Sequence, residues 1–249
     1  MITIGSLFSG IGGFELGLER AIPNSKTIWQ VEINPYCRSV LKKHWPDAKM
    51  FEDVRSVGAD NLDTVDILCC GFPCQNISNS GNKEGIHGEK SSLWFEARRI
   101  ISELQPSIIV LENVSTIAVR GLSTVIGNLS KLGYDSEWRI ISARETGAFH
   151  LRKRMFIVAY PSSTRGKIGI SKKASRQKRD TEKFNNSHNR QPGGKRKSFW
   201  STKPGIRKLV DGFSGRVDQL RALGNAIVPQ CSELVGEYIL HSGLIDDLS

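Results

Sequence analysis

The chain has 249 residues, with 35 Lys and Arg against 25 Asp and Glu, so its formal net charge is +10. It contains five cysteines, an odd number, and no C-x-x-C pair, which argues against a disulfide framework or a zinc cluster and favours a reduced, intracellular protein. The start, Met1–Gly5, has no basic head or apolar signal core, and no apolar run approaches the ~18 residues of a membrane span. Secreted and membrane classes are therefore set aside.

Short apolar runs alternate with segments of helical periodicity over residues 1–160. The predicted strands are Ile2–Phe8, Thr27–Val31, a short strand before Asp53, Asp66–Cys70, Ser107–Leu111, Trp138–Ile141 and Met155–Tyr160. The predicted helices are Phe14–Ile22, Pro35–His44, Leu93–Leu104 and a last helix that opens at Pro229. This β-α-β-α order predicts an α/β protein with a doubly wound, Rossmann-like sheet.

All of the excess positive charge lies in one polar segment. Residues 161–200 contain 12 Lys and Arg against only Asp180 and Glu182, and they include few apolar side chains. Such a segment is either a solvated basic insert or an element that binds a polyanion, with nucleic acid as the natural partner. The apolar stripe of the last helix needs the preceding sheet to cover it, so the segment is predicted to be an insertion. We therefore expect one domain over 1–160 plus 204–249, interrupted by a short basic region over 161–203.

A glycine-rich loop follows the first predicted strand. The segment Ser9–Gly13 contains three glycines, which is typical either of an ordinary turn or of a loop whose backbone approaches a nucleotide-like ligand. Glu32 ends the second predicted strand, 22 residues after Gly10, where a carboxylate typically accepts hydrogen bonds from ribose hydroxyls. Asp53 is placed either to accept a hydrogen bond from an adenine amine or to remain a solvated loop charge. This spacing indicates an adenosine cofactor.

Two residues at predicted strand ends have the chemistry of a catalytic pair. Cys74 follows the rigid Pro73 in a polar loop after the fourth predicted strand, so it is read as a nucleophilic thiolate rather than a small core residue. Glu112 ends a buried strand, where partial desolvation raises a carboxyl pKa towards that of a usable acid. The alternative for Glu112 and Asn113 is the capping of a helix N-terminus.

An arginine pair precedes the last strand of the predicted sheet. Arg152 and Arg154 are two residues apart, so in an extended chain their side chains lie on the same side, with Lys153 opposite. Two guanidiniums on one face suit bidentate binding of a phosphate or of a base edge.

These pieces, in this order, resemble the cytosine-C5 DNA methyltransferases. The resemblance runs from residue 6 to residue 230, and its motifs are Ser6–Phe14, Glu32, Asp53, Gly71–Gln75 with Ser78, Glu112–Val114, Arg152-x-Arg154 and Gly224–Pro229. It implies S-adenosylmethionine as cofactor, a Rossmann-like catalytic domain, and target recognition by residues 161–203. Two positions depart from the family pattern: Ser6 stands where Asp is frequent, and His150 stands where Gln commonly precedes the arginine pair.

Carried onto this chain, the resemblance gives each motif residue a role. Cys74 would attack C6 of a flipped-out cytosine, Glu112 would protonate or hydrogen-bond N3, and Arg154 with Arg152 would hold the pyrimidine. The residues expected at the cofactor are Phe8, Ser9, Gly10, Gly12, Glu32, Ile33, Asp53, Val54, Pro73, Leu93, Asn225 and Ala226.

The function expected from the resemblance is DNA (cytosine-5) methylation of double-stranded DNA. The setting would be a restriction-modification system with a cognate endonuclease, or phage self-protection, and the protein would be a monomer in the cytoplasm of a bacterial or phage-infected cell. Two alternatives stay open. One is methylation of cytosine in tRNA, and the other is a catalytically impaired nucleic-acid-binding relic, which the departures at Ser6 and His150 prompt.

Overall fold

The computed structural model describes residues 1–73, 92–166, 222–246 and 248. Their strands are β1 Ile2–Leu7, β2 Ser25–Val31, β3 Lys49–Phe51, β4 Ile67–Cys70, β5 Ile108–Val114, β6 Tyr134–Ser142 and β7 Lys153–Pro161. Their helices are α1 Gly13–Ala21, α2 Pro35–His44, α3 Ser92–Leu104, α4 Ile117–Arg120, α5 Leu122–Lys131 and α6 Pro229–His241. Within these ranges, no helix is both long enough and apolar enough to cross a bilayer.

The strands form one seven-stranded sheet in the order β3-β2-β1-β4-β5-β7-β6. Strands β1 to β5 pair in parallel, whereas β7 runs antiparallel to both β5 and β6. The strand order reverses between β1 and β4, and ligands of open α/β sheets bind outside the carboxyl ends of the strands at such a point. The predicted doubly wound α/β sheet is confirmed.

The central strands are buried on both faces, as their uninterrupted apolar sequences predict. On one face, Leu68 and Leu111 belong to a cluster built around Trp29 and Trp94. On the other face, Ile67, Val110 and their neighbours pack with residues of α1 and α6. The two clusters hold the sheet rigid, so the loops at its carboxyl edge start from well-defined positions.

Helix α6 closes one face of the sheet beside α1. Its buried residues include Cys231, Leu234, Val235 and Ile239, which are the apolar stripe seen in the sequence. The two helices can approach closely because Gly17 has no side chain. A Cβ at this position would overlap the Ser232 hydroxyl and the Pro229 carbonyl oxygen. The chain after the basic region therefore packs onto the sheet formed before it.

Two parts of the fold differ from the sequence expectation. Strand β6 begins at Tyr134, earlier than the predicted Trp138, and α4 and α5 were not predicted. Strand β6 lies at the edge of the sheet and exposes Trp138 and Ile140, so its pattern of apolar and polar residues is not that of a half-buried strand. Val217, Leu220 and Leu223 also stand at helical spacing in the sequence, and the first two lie outside the described residues.

Candidate active site

The predicted site residues lie in a line along the carboxyl edge of the parallel strands. Asp53 follows β3, Glu32 follows β2, and the loop from Phe8 to Gly12 follows β1. Gly71 follows β4, and Glu112 lies near the end of β5. Since these strands are adjacent in the order β3-β2-β1-β4-β5, residues far apart in sequence share one edge. This edge is where the sequence motifs predicted a site.

The glycine-rich loop leaves β1 in an unusual backbone conformation. Phe8 has φ of 59° and Gly10 has φ of 57°, both in the left-handed region. For a bulky residue such as Phe8 this conformation costs on the order of 1 kcal/mol or more, so its surroundings must hold it. Ser9 does so by donating its N–H to the Val31 carbonyl at 3.2 Å and accepting from Gly12 N–H at 3.0 Å.

Glu32 braces the same loop from the end of β2. Its Oε2 accepts a hydrogen bond from Gly10 N–H at 2.8 Å, and its Oε1 accepts one from Asn34 N–H at 2.8 Å. Burial raises the pKa of Glu32, while the two backbone hydrogen bonds act in the opposite direction. The carboxylate is thus held rigidly beside the loop.

The neighbouring residues fit an adenosine group along this part of the edge. Ile33, directly after Glu32, is an apolar side chain that is 66% exposed. Asp53 caps the short 3-10 helix Val54–Ser56 by accepting from Arg55 N–H at 2.9 Å, and its carboxylate remains partly exposed. A Cβ at Gly10 would meet no heavy atom within 4 Å, so the loop borders open space. Glu32, Ile33 and Asp53 are thus the groups that could meet a ribose, an aromatic ring and an exocyclic amine, respectively.

Glu112 lies at the opposite end of this line and is buried. It is 8% exposed, and its Oε1 pairs with Arg154 Nε at 2.8 Å. Burial raises the pKa of Glu112 to about 7, against the effects of Arg154 and Arg152, which lower it. Both Glu112 and Asn113 lie inside β5, and α4 begins only at Ile117, so the helix-capping alternative is not what the structure shows.

The antiparallel strand β7 brings the arginines to this carboxyl group. In the β5–β7 ladder Glu112 is opposite Phe156 and Val114 is opposite Arg154, so Arg154 reaches diagonally back to the acid. Both guanidiniums lower the pKa of Glu112, so both act on this carboxyl group.

Arg152 has additional partners that the sequence did not indicate. Its Nη1 donates to the Gly224 carbonyl at 2.8 Å, and its Nη2 donates to the Ala226 carbonyl at 2.7 Å. These two carbonyls flank Asn225, whose side chain is exposed. The guanidinium therefore holds the segment in which the cofactor residues Asn225 and Ala226 were expected.

The segment after Ala226 connects the two ends of the site. A Cβ at Gly13 would overlap the Ile227 carbonyl oxygen, and a Cβ at Gly71 would lie 3.3 Å from Ile227 Cδ1 and 3.7 Å from Glu112 Oε2. A cleft of about 530 Å³ opens beside this junction, and its lining includes Gly12, His150, Arg152 and Ile227. Ile227 thus lies between the glycine loop and Gly71, and Gly71 lies beside Glu112, whereas neither Gly71 nor Glu112 lines the cleft.

Residues 2–204 match the family described as C-5 cytosine-specific DNA methylase. The chain belongs to this family. It is 30% identical over 166 residues to the type II methyltransferase M.NlaIV of Neisseria lactamica, which covers 61% of this chain and 39% of that protein. It is 34% identical over 162 residues to M2.BsuMI of Bacillus subtilis, with 62% and 41% covered.

A solved structure shares the fold of this methylase-family chain. It is described as a DNA modification methyltransferase encoded within a prophage in E. coli, with a TM-score of 0.57 and 26% identity over 69% of this chain and 49% of that one. The chain spans about two fifths of the length of the two curated relatives named above. The resemblance to the cytosine-C5 methyltransferases is confirmed at the level of family and fold.

Sequence reasoning gave Asn113 no positioning role. Asn113 is buried, and its Nδ2 donates to the Phe72 carbonyl at 3.0 Å, which ties β5 to the loop after β4. The Phe72 ring packs against Trp94 of α3 at 5.1 Å between ring centroids. A signal was present, since a buried amide inside an apolar strand needs a hydrogen-bond partner. Pro73 ends this described segment, and Cys74, Gln75 and Ser78 lie outside the described residues.

Proposed function

We propose that this chain is an S-adenosylmethionine-dependent DNA (cytosine-5)-methyltransferase that acts on a cytosine flipped out of double-stranded DNA. The observation that carries the proposal is the buried Glu112 carboxyl, whose pKa is raised to about 7 and which faces the loop that leads to Cys74. A carboxyl group that is still partly protonated near neutral pH can donate a hydrogen bond or a proton to cytosine N3. Family membership supports the same reaction.

The two carboxyl oxygens of Glu112 have different neighbours. Arg154 occupies Oε1, whereas Oε2 is the oxygen near Gly71. We infer that Oε2 carries the proton and donates it to N3, while Arg154 keeps the carboxyl group in that orientation. Arg154 would also hold the pyrimidine, and Arg152 would assist while it holds the backbone around Asn225.

The proposed reaction begins with addition of the Cys74 thiolate to C6 of cytosine. The C6–S bond forms as N3 takes the proton from Glu112, so the electron pair of the C5–C6 bond becomes available at C5 as an enamine. S-adenosylmethionine, when bound, supplies an electrophilic methyl group to that carbon. The leaving group of that transfer would be S-adenosylhomocysteine. Loss of the C5 proton to a base and return of the N3 proton to Glu112 then restore the C5–C6 double bond, break the C6–S bond and release Cys74 as a thiolate.

Binding of the methyl donor is proposed for the edge that includes Glu32. The expected set is Phe8, Ser9, Gly10, Gly12, Glu32, Ile33, Asp53, Val54, Pro73, Leu93, Asn225 and Ala226. Support comes from the placement of Glu32 and Asp53 at neighbouring strand ends and from the open side of Gly10. Leu93 and Phe8 both pack against the core cluster that contains Val54.

The remaining parts of the proposal concern DNA and the cell. The basic region over 161–203, which lies outside the described residues from 167 onward, would bind DNA phosphates and recognise the target. The catalytic domain would comprise 1–160 plus 204–249. We propose a cytoplasmic monomer that methylates the sites of a cognate restriction endonuclease, a setting that the type II relatives support.

The deciding experiment is covalent trapping on duplex DNA that contains 5-fluorocytosine, in the presence of S-adenosylmethionine. Fluorine cannot leave C5 as a proton does, so the C6–S bond should persist as a protein–DNA adduct on a denaturing gel. Cys74→Ala should give no adduct. Cys37→Ala is the matched control, because Cys37 is a buried cysteine on α2, and it should trap like the wild type.

Each outcome of this experiment has a distinct meaning. An adduct with the wild type and Cys37→Ala, but not with Cys74→Ala, supports the mechanism. Tritium transfer from labelled S-adenosylmethionine to tRNA and not to DNA would support the RNA alternative instead. Salt-sensitive DNA binding without any adduct or methyl transfer would support the relic and contradict the proposal.

A further inference from the structure

A fully buried carboxyl group lies beneath the glycine loop, and the proposed reaction gives it no role. Glu15, on α1, is 0% exposed, and Gln30 Nε2 donates to its Oε1 at 3.1 Å. Burial raises the pKa of Glu15, while hydrogen bonds with Ser6 and Gln30 lower it. A carboxyl group is costly to bury without hydrogen bonds, so the contacts made by Glu15 define what holds it there.

The partners of Glu15 form a row across three neighbouring strands. Ser6 of β1 is paired with Gln30 of β2 and with Cys69 of β4. All three residues are buried, and the charge of Glu15 acts on the Cys69 thiol, which is the other titratable group at the cluster. We call Ser6, Ser9, Glu15, Gln30 and Cys69 the polar cluster. It lies within an otherwise apolar layer between α1 and the sheet.

The polar cluster is connected directly to the glycine loop through Ser9. The Ser9 hydroxyl donates to Ser6 Oγ at 2.9 Å, and both hydroxyls act to lower the pKa of Glu15, whose Oε2 has no hydrogen-bond partner within the described residues. A second path runs through Gln30, which donates to Glu15 Oε1 and precedes Val31, the residue whose carbonyl accepts Ser9 N–H. Ser9 stands between Phe8 and Gly10, the two loop residues with left-handed φ. Glu15 therefore supports from below the same loop that Glu32 braces from the side.

We propose that Glu15 is a positioning residue that, through Ser6 and Ser9, holds the glycine loop in the conformation that receives the methyl donor. The inference rests on the proposed function for the identity of that ligand. It also gives a reason for the departure at position 6. Ser6 leaves room for a carboxyl group delivered from α1, where Asp at this position would bring a second carboxyl group next to a buried one.

The test compares Glu15→Ala, Glu15→Gln and Asp66→Ala in the full chain by calorimetric titration with S-adenosylmethionine. Glu15→Ala should bind about tenfold more weakly, because Gln30 Nε2 loses its acceptor and the Ser6 and Ser9 hydroxyls lose the neighbouring carboxyl group. Glu15→Gln keeps an acceptor oxygen and should bind within about twofold of the wild type. Asp66 links β1 and β4 at their other end by accepting from Thr3 N–H and Thr3 Oγ1, each at 2.7 Å. Asp66→Ala is therefore the matched control, and it should lower stability without weakening binding.

A second readout needs no ligand. Amide hydrogen exchange at Gly10 and Gly12 should be faster in Glu15→Ala than in Asp66→Ala, measured where both variants are folded. If Glu15→Ala does not fold, Ser9→Ala replaces it, and a double variant with Glu15→Gln tests whether the two effects are coupled.

The failure of this inference can be told apart from failure of the proposed function. If the wild type binds S-adenosylmethionine and folded Glu15→Ala or Ser9→Ala binds equally well, with unchanged exchange at Gly10, the inference is wrong. If the wild type does not bind S-adenosylmethionine, the proposed function is wrong, and the exchange measurement still decides whether Glu15 holds the loop.

Discussion

The two halves of the site edge are built in different ways. At β1, β2 and β3, loops begin where strands end, and ligand-facing groups are backbone N–H groups and carboxylates such as Glu32 and Asp53. At β5 and β7, the charged groups Glu112 and Arg154 stand within the strands themselves. We call these the loop half and the strand half.

The difference follows from strand direction. In a parallel sheet every strand ends at the carboxyl edge, so only loops reach out from it. Strand β7 is antiparallel and begins at that edge, so it brings a side chain from its first residues next to β5. A side chain that stands within a strand is covered by the neighbouring strands, and this burial explains the raised pKa of Glu112. In the proposed function, acid–base chemistry therefore falls to the strand half, and binding of the methyl donor falls to the loop half.

The largest effect should come from removing the acid of the strand half. Glu112→Gln should lower the rate of DNA methylation by about 10²–10⁴-fold, because Gln cannot donate a proton to N3. The measurement is tritium incorporation into duplex DNA, with circular dichroism to verify folding. Binding of S-adenosylmethionine should stay near the wild-type value. Methylation at more than a tenth of the wild-type rate would remove Glu112 from the mechanism.

The same residue should make stability depend on pH. The pKa of Glu112 is about 7 in the folded chain, whereas its ordinary value is 4.5. Between these two pH values the folded state therefore holds a proton that the unfolded state has lost. Stability from this group is present below about pH 4.5 and is lost as pH rises to about 7, a loss of about 2 to 3 kcal/mol between pH 5 and pH 8. Urea unfolding of the wild type and Glu112→Gln at both pH values measures it. An equal pH dependence in both proteins would contradict this.

The loop half is tested by Glu32→Ala. Removing the carboxylate leaves Gly10 N–H without its partner and takes away the expected acceptor for ribose hydroxyls, so S-adenosylmethionine should bind about tenfold more weakly or worse. Under the proposed function Glu112 sets the pH dependence of methylation, and the midpoint of that dependence should stay unchanged. A shifted midpoint with unchanged binding would break the division between the halves.

The smallest expected effect separates the two arginines. Arg152→Ala should weaken S-adenosylmethionine binding by up to about tenfold, since Arg152 holds the carbonyls on either side of Asn225. Arg154→Ala should leave that affinity unchanged. Both variants should move the alkaline limb of the pH profile upward, because both guanidiniums lower the pKa of Glu112, so the donor affinity is the measurement that separates them. If both variants lose donor affinity alike, the two halves are not separable at β7.

Particular residues show where sequence reasoning stopped. The apolar runs of β4 and β5 and the helix beginning at Pro35 were predicted, because burial on both faces and a proline at a helix start leave clear local signals. Strand β6 was predicted too short, because an edge strand with an exposed Trp138 does not alternate clearly between apolar and polar residues. Helix α5 was missed although Leu122, Val125 and Leu129 stand at helical spacing in the sequence.

By itself, the sequence determined the fold class, the family and which side chains stand at strand ends. Each of these is set by local patterns, namely period, turn residues and short motifs. Only the tertiary structure decided that Arg152 holds the backbone at Gly224 and Ala226, that Asn113 holds Phe72, and that Glu15 lies under the glycine loop. Such pairings join residues from different strands and helices. Their partners depend on register and packing, which no local pattern encodes.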